Sequence, residues 1–240
     1  MQLFYCKDIT PGGFCTLDAE ESRHAVRVLR LRESDELNVT DGKGNLYTCQ
    51  IVEASDKACV INCGDAAGRG STDRVQIYMA VAPTKNPSRM EWLVEKAVEI
   101  GVGEITLLDC DHSERSFLKT DRLEKLAISA MKQSLHTVLP EIHPAVKLSD
   151  WLTSHLLPFT SHLKFIAHCE ADKPRTPLAA ALQPGRDAVV LIGPEGDFSE
   201  EEIALALDCG FQPVSLGPSR LRTETAALYA VTAFNLINDK

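Results

Sequence analysis

From residue 74 to the end, short apolar runs alternate with stretches whose apolar residues recur at helical spacing, and that alternation leaves few folds open. Residues 75–81 read as a strand. Residues 87–100 then place Met90, Leu93, Val94, Ala97 and Val98 on one helical face, with Gly101 positioned to end the helix. Further strands are expected at 105–108, 163–167, 188–192 and 214–216, and helices at 121–135, about 176–182, 200–209 and 224–238. Strands separated by helices of this length are joined by crossovers, which implies an α/β fold with a mostly parallel sheet.

The first 65 residues have a different pattern. Residues 37–40 lead through Asp41-Gly42-Lys43-Gly44 into an alternating run at 45–52, and Asp-Gly between such runs signals a hairpin. A further run follows at 58–61, and strands this short and close read as a small β-barrel. Residues 66–73 read as a linker. Their Gly-Arg-Gly-Ser is no phosphate loop, because the lysine and the spacing are missing.

Composition narrows the class only coarsely. With 44% hydrophobic and 25% charged residues the chain reads as a soluble globular protein. No apolar run approaches a membrane span, and the N-terminus lacks the regions of a signal peptide, so a cytoplasmic protein without membrane contact is expected. The eight cysteines include no CxxC and no Cys/His spacing suited to zinc, so buried free thiols and no metal are expected. A formal charge of −9 argues against a chain that is basic throughout, but leaves room for a local basic face that meets RNA phosphates.

The last fifty residues carry the chemistry. Gly193-Pro194-Glu195-Gly196-Asp197-Phe198-Ser199 and the stretch from Leu216-Gly217 to Arg222-Thr223-Glu224-Thr225-Ala226 each leave a strand and open a helix. Glycine lets a backbone approach a ligand closely, and ligands of open α/β sheets lie beyond the carboxyl ends of strands. Backbone groups there can read an adenine edge while Leu191, Leu216 and Leu221 sandwich its ring. The bland alternative is a pair of ordinary tight turns. Between the loops, Ser199 and Glu202 form a capping-box pattern, Phe198 and Ile203 a hydrophobic staple, and Gly210 a stop signal. No G-x-G-x-x-G follows a strand, which disfavours a nicotinamide dehydrogenase. No nucleophile–histidine spacing is legible, and the seven histidines read mostly as packing or surface residues.

On these residues the chain resembles, over essentially its full length, the RsmE family of 16S ribosomal RNA uracil-N3 methyltransferases within the SPOUT (trefoil-knot) superfamily. The matching stretches are 24–30, 41–44, 96–102, 114–116, 132–134, 191–196, 216–217 and 221–226, in that order. The resemblance implies an RNA-binding PUA-like β-barrel over 1–70 and a knotted methyltransferase domain over 74–240. It implies a homodimer that uses S-adenosylmethionine to methylate N3 of uracil 1498 in 16S ribosomal RNA or the small ribosomal subunit. Cofactor binding then falls to Leu191, Ile192, Gly193, Pro194, Glu195, Gly196, Leu216, Gly217, Leu221, Arg222, Thr223, Thr225 and Ala226. Arg222 is the candidate to stabilise the uracil anion, with Glu195 or Glu224 as proton acceptor. For Glu224 the competing role is a charge that complements a helix N-terminus.

RNA contacts are expected at Arg23, Arg27, Arg30, Arg115 and Lys132, with Lys85, Arg89 and Lys96 as further cations. If their segment is helical, the spacing of His24, Arg27 and Arg30 points all three one way; without the resemblance, the run reads as a solvated face. The chain departs from the family at Asp197, where a second glycine is usual, and after Ser134, where Leu135 and His136 stand near the place of an arginine. A ribose 2′-O-methyltransferase of the same superfamily and a non-catalytic assembly factor are the competing functions.

Overall fold

The computed structural model describes residues 2–69, 74–114, 118–170 and 174–238. The chain divides into two compact units, Met1–Arg74 with Ile128–Leu139, and Val75–Ala127 with Pro140–Lys240.

The first unit runs β1 (Leu3–Tyr5), β2 (Phe14–Thr16), α1 (Ala19–Arg23), a π-helical turn (His24–Val28), β3 (Glu36–Thr40), β4 (Asn45–Glu53) and β5 (Val60–Arg69). The five strands form one sheet in the order β1-β3-β4-β5-β2, parallel between β1 and β3 and antiparallel elsewhere. Phe4, Leu17, Val39, Tyr47, Ile51 and Ile61 build its core. The hairpin between β3 and β4 turns on Asp41. Its carboxylate accepts from Lys43 N at 2.8 Å, Asn45 N at 3.2 Å and Asn45 Nδ2 at 2.7 Å. Gly42 takes a φ of +74° there, and a Cβ at this position would stand 2.9 Å from the Tyr5 ring.

The linker expected at 66–73 is corrected. Residues 66–69 continue β5, with Ala66, Gly68 and Arg69 opposite Tyr47, Leu46 and Asn45. The long β4 supplies ladder partners that outweigh the weak strand propensity of a glycine-containing stretch, and the register shifts there as a bulge would. Residues 70–73 lie outside the described part.

The second unit continues with β6 (Ile77–Val81), α2 (Pro87–Ile100), β7 (Glu104–Asp109), α3 (Thr120–Gln133), β8 (Glu141–Lys147) and α4 (Leu148–Ser154). A short 3₁₀ turn at Leu157–Phe159 precedes β9 (Leu163–Ala167), β10 (Thr176–Pro177), α5 (Leu178–Ala181), β11 (Ala188–Ile192), α6 (Glu200–Asp208), β12 (Gln212–Ser215) and α7 (Thr223–Asn238). Helix α3 crosses from this unit into the first at residue 128. Every pairing in the seven-stranded sheet is parallel, in the order β10-β12-β9-β11-β6-β7-β8. The expected α/β class therefore holds. β11 is buried along its whole length, as a central strand of a parallel sheet covered on both faces must be.

Local signals account for the helix ends. Asn86 caps α2 by accepting from Ser88 N at 3.0 Å, and Gly101 ends it in the left-handed region at φ +108°. At the end of α6, Gly210 N donates to Leu207 O and Phe211 N to Ala206 O, a Schellman pair. The expected helix at 176–182 shrinks to α5, because Thr176–Pro177 pair with β12 instead. β8 carries no strand signal in the sequence. As an edge strand it tolerates Pro144 and a polar alternation that obscure it.

Among the described residues no helix is long and apolar enough to cross a membrane. All eight cysteines are free, but the expectation that they are buried is corrected. Cys49, Cys59, Cys63 and Cys110 are buried, Cys6, Cys15 and Cys209 are half-buried, and Cys169 is exposed in the loop beyond β9.

His162 sits edge-on to Tyr78 and Phe159, with ring centroids 5.1 and 5.2 Å away. Burial lowers its pKa from the ordinary 6.5, against the pull of Asp187. The unfolded chain therefore binds the proton more readily than the folded one. Its contribution to stability should be constant above about pH 6.5 and fall as pH drops below that value. Urea titrations from pH 5 to 8 should show this step in the wild type and a smaller one in His162→Gln.

Candidate cofactor and substrate site

β9 lies between β12 and β11 in the sheet, so the segments leaving these three strands meet at their carboxyl ends. This is a topological switch point, because the chain first grows from β6 toward β8 and then returns to the other side. A cleft of about 280 Å³ opens here, walled by Ile192, Gly193, Pro194, Glu195, Leu221, Arg222, Thr223 and Ala226, with Ala167 and Cys169 from the end of β9. An adjoining, wider cleft of about 980 Å³ shares Cys169, Asp197 and Arg220 with it and extends to His112, Arg175, Gly196 and Gly217.

Side chains and backbone tie the loops together. Thr223 Oγ1 donates to Gly193 O at 3.0 Å, which joins the start of α7 to the loop after β11. Lys85 N donates to Glu195 Oε1 at 3.0 Å, and Ala82 N to Ile192 O at 3.0 Å, which adds the loop after β6. At the start of α6 the capping box is complete. Ser199 Oγ accepts from Glu202 N at 3.2 Å, and Glu202 Oε2 accepts from Ser199 N at 2.8 Å. Asp111 doubles the tie, since its Oδ2 accepts from Ser199 Oγ at 2.7 Å and its N–H donates to Glu202 Oε1 at 3.0 Å. Ser199→Ala removes both the cap and the Asp111 bond, so thermal unfolding should show a loss of about 1–2 kcal/mol.

Asp197 is the residue whose role the sequence left open. It takes a φ of +67°, the left-handed conformation glycine would occupy at no cost. The carboxylate compensates. Oδ2 accepts from Cys169 N at 2.7 Å and Oδ1 from Phe198 N at 2.9 Å, while the Asp197 carbonyl lies 3.1 Å from His112 Nδ1. Asp197 thus bolts the loop after β11 to the segment after β9, which a glycine could not do.

The expected site residues separate into groups. Ile192, Gly193, Pro194, Glu195, Leu221, Arg222, Thr223 and Ala226 come together around the smaller cleft. Gly196 and Gly217 line the wider one. Leu191, Leu216 and Thr225 line neither. Leu191 is fully buried in the core beside Phe198 and Ile203, so its side chain is not free to stack on a ring. The sequence missed Cys169, His112, Arg175 and Arg220. No local signal could have found Cys169, because its place depends on β9 lying between the other two strands.

Arg222 is exposed at the cleft and pairs with no carboxylate among the described residues. Glu195 keeps its other oxygen, Oε2, without a hydrogen-bond partner. Glu224 Oε1 lies 3.7 Å from Arg89 Nε, and Glu224 sits in the first turn of α7, where its charge complements the helix dipole. An adenosyl group fits this chemistry: apolar walls from Ile192, Leu221 and Ala226, and backbone groups beside Gly193. Among the described residues no group of three or more His, Cys, Asp or Glu could hold a metal ion.

The basic segment meets only in part the helical condition on which the alignment of its charges depends. Arg23, Arg27 and Arg30 are exposed, but α1 widens into the π-helical turn, with Leu29 N donating to His24 O at 3.0 Å. Arg30 then falls past the helix in the left-handed region at φ +58°, so helical spacing no longer aligns it with His24 and Arg27. Arg27 pairs with Asp56 and Lys132 with Glu21, whereas Arg115 lies outside the described residues.

Comparison with known proteins bears on the same segments. Residues 71–235 match the family model of an RNA methyltransferase domain, and residues 17–62 that of an RNA methyltransferase PUA domain. The ribosomal RNA small subunit methyltransferase E of Aquifex aeolicus is 31% identical over 97% of this chain and 98% of its own length. The crystal structure of a probable rRNA-methyltransferase from Porphyromonas gingivalis superposes with a TM-score of 0.90 at 40% identity, covering 100% of this chain and 99% of the other. A ribosomal RNA small subunit methyltransferase E from Neisseria gonorrhoeae, solved bound to S-adenosyl methionine, gives a TM-score of 0.80 at 26% identity over 99% and 98% of the two chains.

Proposed function

Because the chain belongs to the ribosomal RNA small subunit methyltransferase E family, we propose that it methylates N3 of uracil 1498 in 16S ribosomal RNA, with S-adenosylmethionine as methyl donor. The observation that carries the reading is the cleft at the ends of β11 and β12, which Glu195 on one loop and Arg222 on the other both line. When bound, S-adenosylmethionine supplies an electrophilic methyl group on a sulfonium.

The chain's own residues supply the rest. Gly193 and its neighbours offer backbone donors and acceptors to an adenine edge, and Ile192, Leu221 and Ala226 exclude water from its ring. The uracil N3–H lies on the Watson–Crick edge, so the base must be unpaired or flipped before it reaches the cleft. N3 is a poor nucleophile until its proton leaves. Glu195, with one oxygen held by the Lys85 N–H and the other unsatisfied, is positioned to accept that proton. Arg222 offers guanidinium donors to O2 or O4 as the ring becomes anionic. Residues 1–70 form the RNA-binding domain and 74–240 the catalytic one in this reading, with Arg23, Arg27 and Arg30 on phosphates. Arg27 and Lys132 must first leave Asp56 and Glu21 to take that part. The active form is a homodimer.

The decisive experiment incubates the protein with S-adenosylmethionine and 16S RNA or 30S subunits that lack the modification, then maps nucleosides by mass after nuclease digestion. N3-methyluridine at the expected site supports the reading. Recovery of 2′-O-methyl nucleosides would replace it with ribose methylation, and calorimetry that detects no cofactor binding would reduce the protein to an RNA-binding factor.

A further inference from the structure

Four cysteines of the first unit stand in an unbroken line that neither the fold nor methyl transfer explains. Cys6 follows β1 and Cys15 lies in β2, strands at opposite edges of the sheet, yet their sulfurs are 3.5 Å apart. Cys15 Sγ lies 3.9 Å from Cys63 Sγ on β5, and Cys63 Sγ lies 2.7 Å from Cys49 Sγ on β4. Cys49 and Cys63 face each other directly across the antiparallel pair. Such partners have Cα atoms about 4.5–5.5 Å apart, within the span of about 4.4–6.8 Å that a disulfide bridges. Exposure falls along the line, since Cys6 and Cys15 are half-buried and Cys63 and Cys49 are buried in the core.

We propose that Cys6, Cys15, Cys63 and Cys49 form a thiol–disulfide relay, in which a peroxide oxidises Cys6 and the resulting disulfide passes inward to the Cys49–Cys63 pair. The chemistry assigns each sulfur its step. The hydrogen bond with Cys15, with help from the backbone at Asp8, holds the Cys6 thiol down at about 7 despite burial and nearby acidic groups. The hydrogen bond to Cys6 and burial push Cys15 up, and burial pushes Cys49 up. Cys6 is therefore the nucleophile toward peroxide and also the best leaving group.

The Cys6 thiolate takes one oxygen from hydrogen peroxide to become a sulfenic acid, and hydroxide leaves. The Cys15 thiol then attacks that sulfur, and the Cys6–Cys15 bond forms with loss of water. The Cys63 sulfur next attacks Cys15 and expels Cys6, to which the proton of Cys63 passes. Finally the Cys49 sulfur attacks Cys63 and expels Cys15, which takes the proton of Cys49. One peroxide is reduced, one disulfide results in the core, and Cys6 and Cys15 are thiols again. A second peroxide oxidises them to a second disulfide.

The test treats the intact protein with hydrogen peroxide, quenches by alkylation at intervals, and maps disulfides by mass spectrometry without reduction. Cys6–Cys15 should appear first and Cys49–Cys63 later, with two peroxides consumed at completion and Cys59 still reduced. Cys6→Ser should slow the appearance of Cys49–Cys63 at least about tenfold. Cys15→Ser should trap Cys6 as a sulfenic acid that a dimedone probe labels. Formation of Cys49–Cys63 before Cys6–Cys15 in the wild type overturns the relay whether or not the variants fold. Equal rates of Cys49–Cys63 formation in wild type and Cys6→Ser also overturn it, as does a native mass that shows a metal ion bound to the four thiols.

Discussion

Arg222→Ala is expected to lower the rate of methyl transfer about 100- to 1,000-fold while changing S-adenosylmethionine affinity by less than about threefold. The asymmetry follows from where the side chain stands. Arg222 lines the cleft but is exposed at its edge and pairs with no carboxylate among the described residues, so its charge is uncommitted before substrate arrives. A donor that meets negative charge only as the uracil ring loses its proton lowers the barrier without adding to ground-state binding. Single-turnover methylation and calorimetry on the same variant separate the two. Equal losses in both would make Arg222 a cofactor-binding residue and leave anion stabilisation to another group. Arg222→Lys should recover only part of the rate, because a lysine keeps the charge but not the planar fork of donors.

Asp197→Ala is the second large effect. The substitution leaves Cys169 N–H and Phe198 N–H without the carboxylate acceptor and holds an alanine in the left-handed region. Each lost charge-assisted bond is worth about 1.5–3 kcal/mol at most, and the strained alanine costs about 1–2 kcal/mol. Water will reclaim part of this at a half-buried site, so cofactor affinity should weaken about 10- to 100-fold, or about 1.4–2.8 kcal/mol. Asp197→Gly removes the strain but not the loss of hydrogen bonds and should fall between wild type and alanine. Asp197→Asn keeps the conformational tolerance but only one acceptor oxygen, and its NH2 would face the second N–H, so it should also fall between wild type and alanine. Cofactor affinity unchanged in Asp197→Ala would show that the tie to Cys169 does not hold the site.

Legibility followed the range of the interactions involved. The start and stop of α6 were readable because Ser199, Glu202 and Gly210 act on backbone groups a few residues away. The helix at Pro87–Ile100 was readable from the helical spacing of Met90, Leu93, Val94, Ala97 and Val98 and from the stop at Gly101, whereas its cap at Asn86 was not singled out. Residues 66–69 were not, since glycine and alanine say nothing locally about a ladder partner on β4. The turn at His24–Val28 was only half readable. The spacing of its charges aligned them only on the condition of a helix, and the wide turn that displaces Arg30 has no sequence signature.

At the site the division is the same. Gly193 to Ser199 and Leu216 to Ala226 stood out because glycines, a cap and a polar cluster sit at fixed offsets in each. Their meeting did not. It depends on β9 lying between β11 and β12, which puts Cys169 N–H against a carboxylate 28 positions further along the chain. The buried side chain of Leu191 was likewise invisible, because the outward or inward face of a strand covered on both sides carries no alternation.

By itself the sequence determined an α/β chain with a β-rich first part, well-capped helices and two loops able to hold a cofactor. Those properties come from torsional preferences and hydrogen bonds that act within a single turn of chain. The tertiary structure alone decided the order of the strands, the bolt that Asp197 makes between loops, and the line of sulfurs from Cys6 to Cys49. Each of these joins groups far apart in sequence, and only burial of the shared cores brings them within bonding distance.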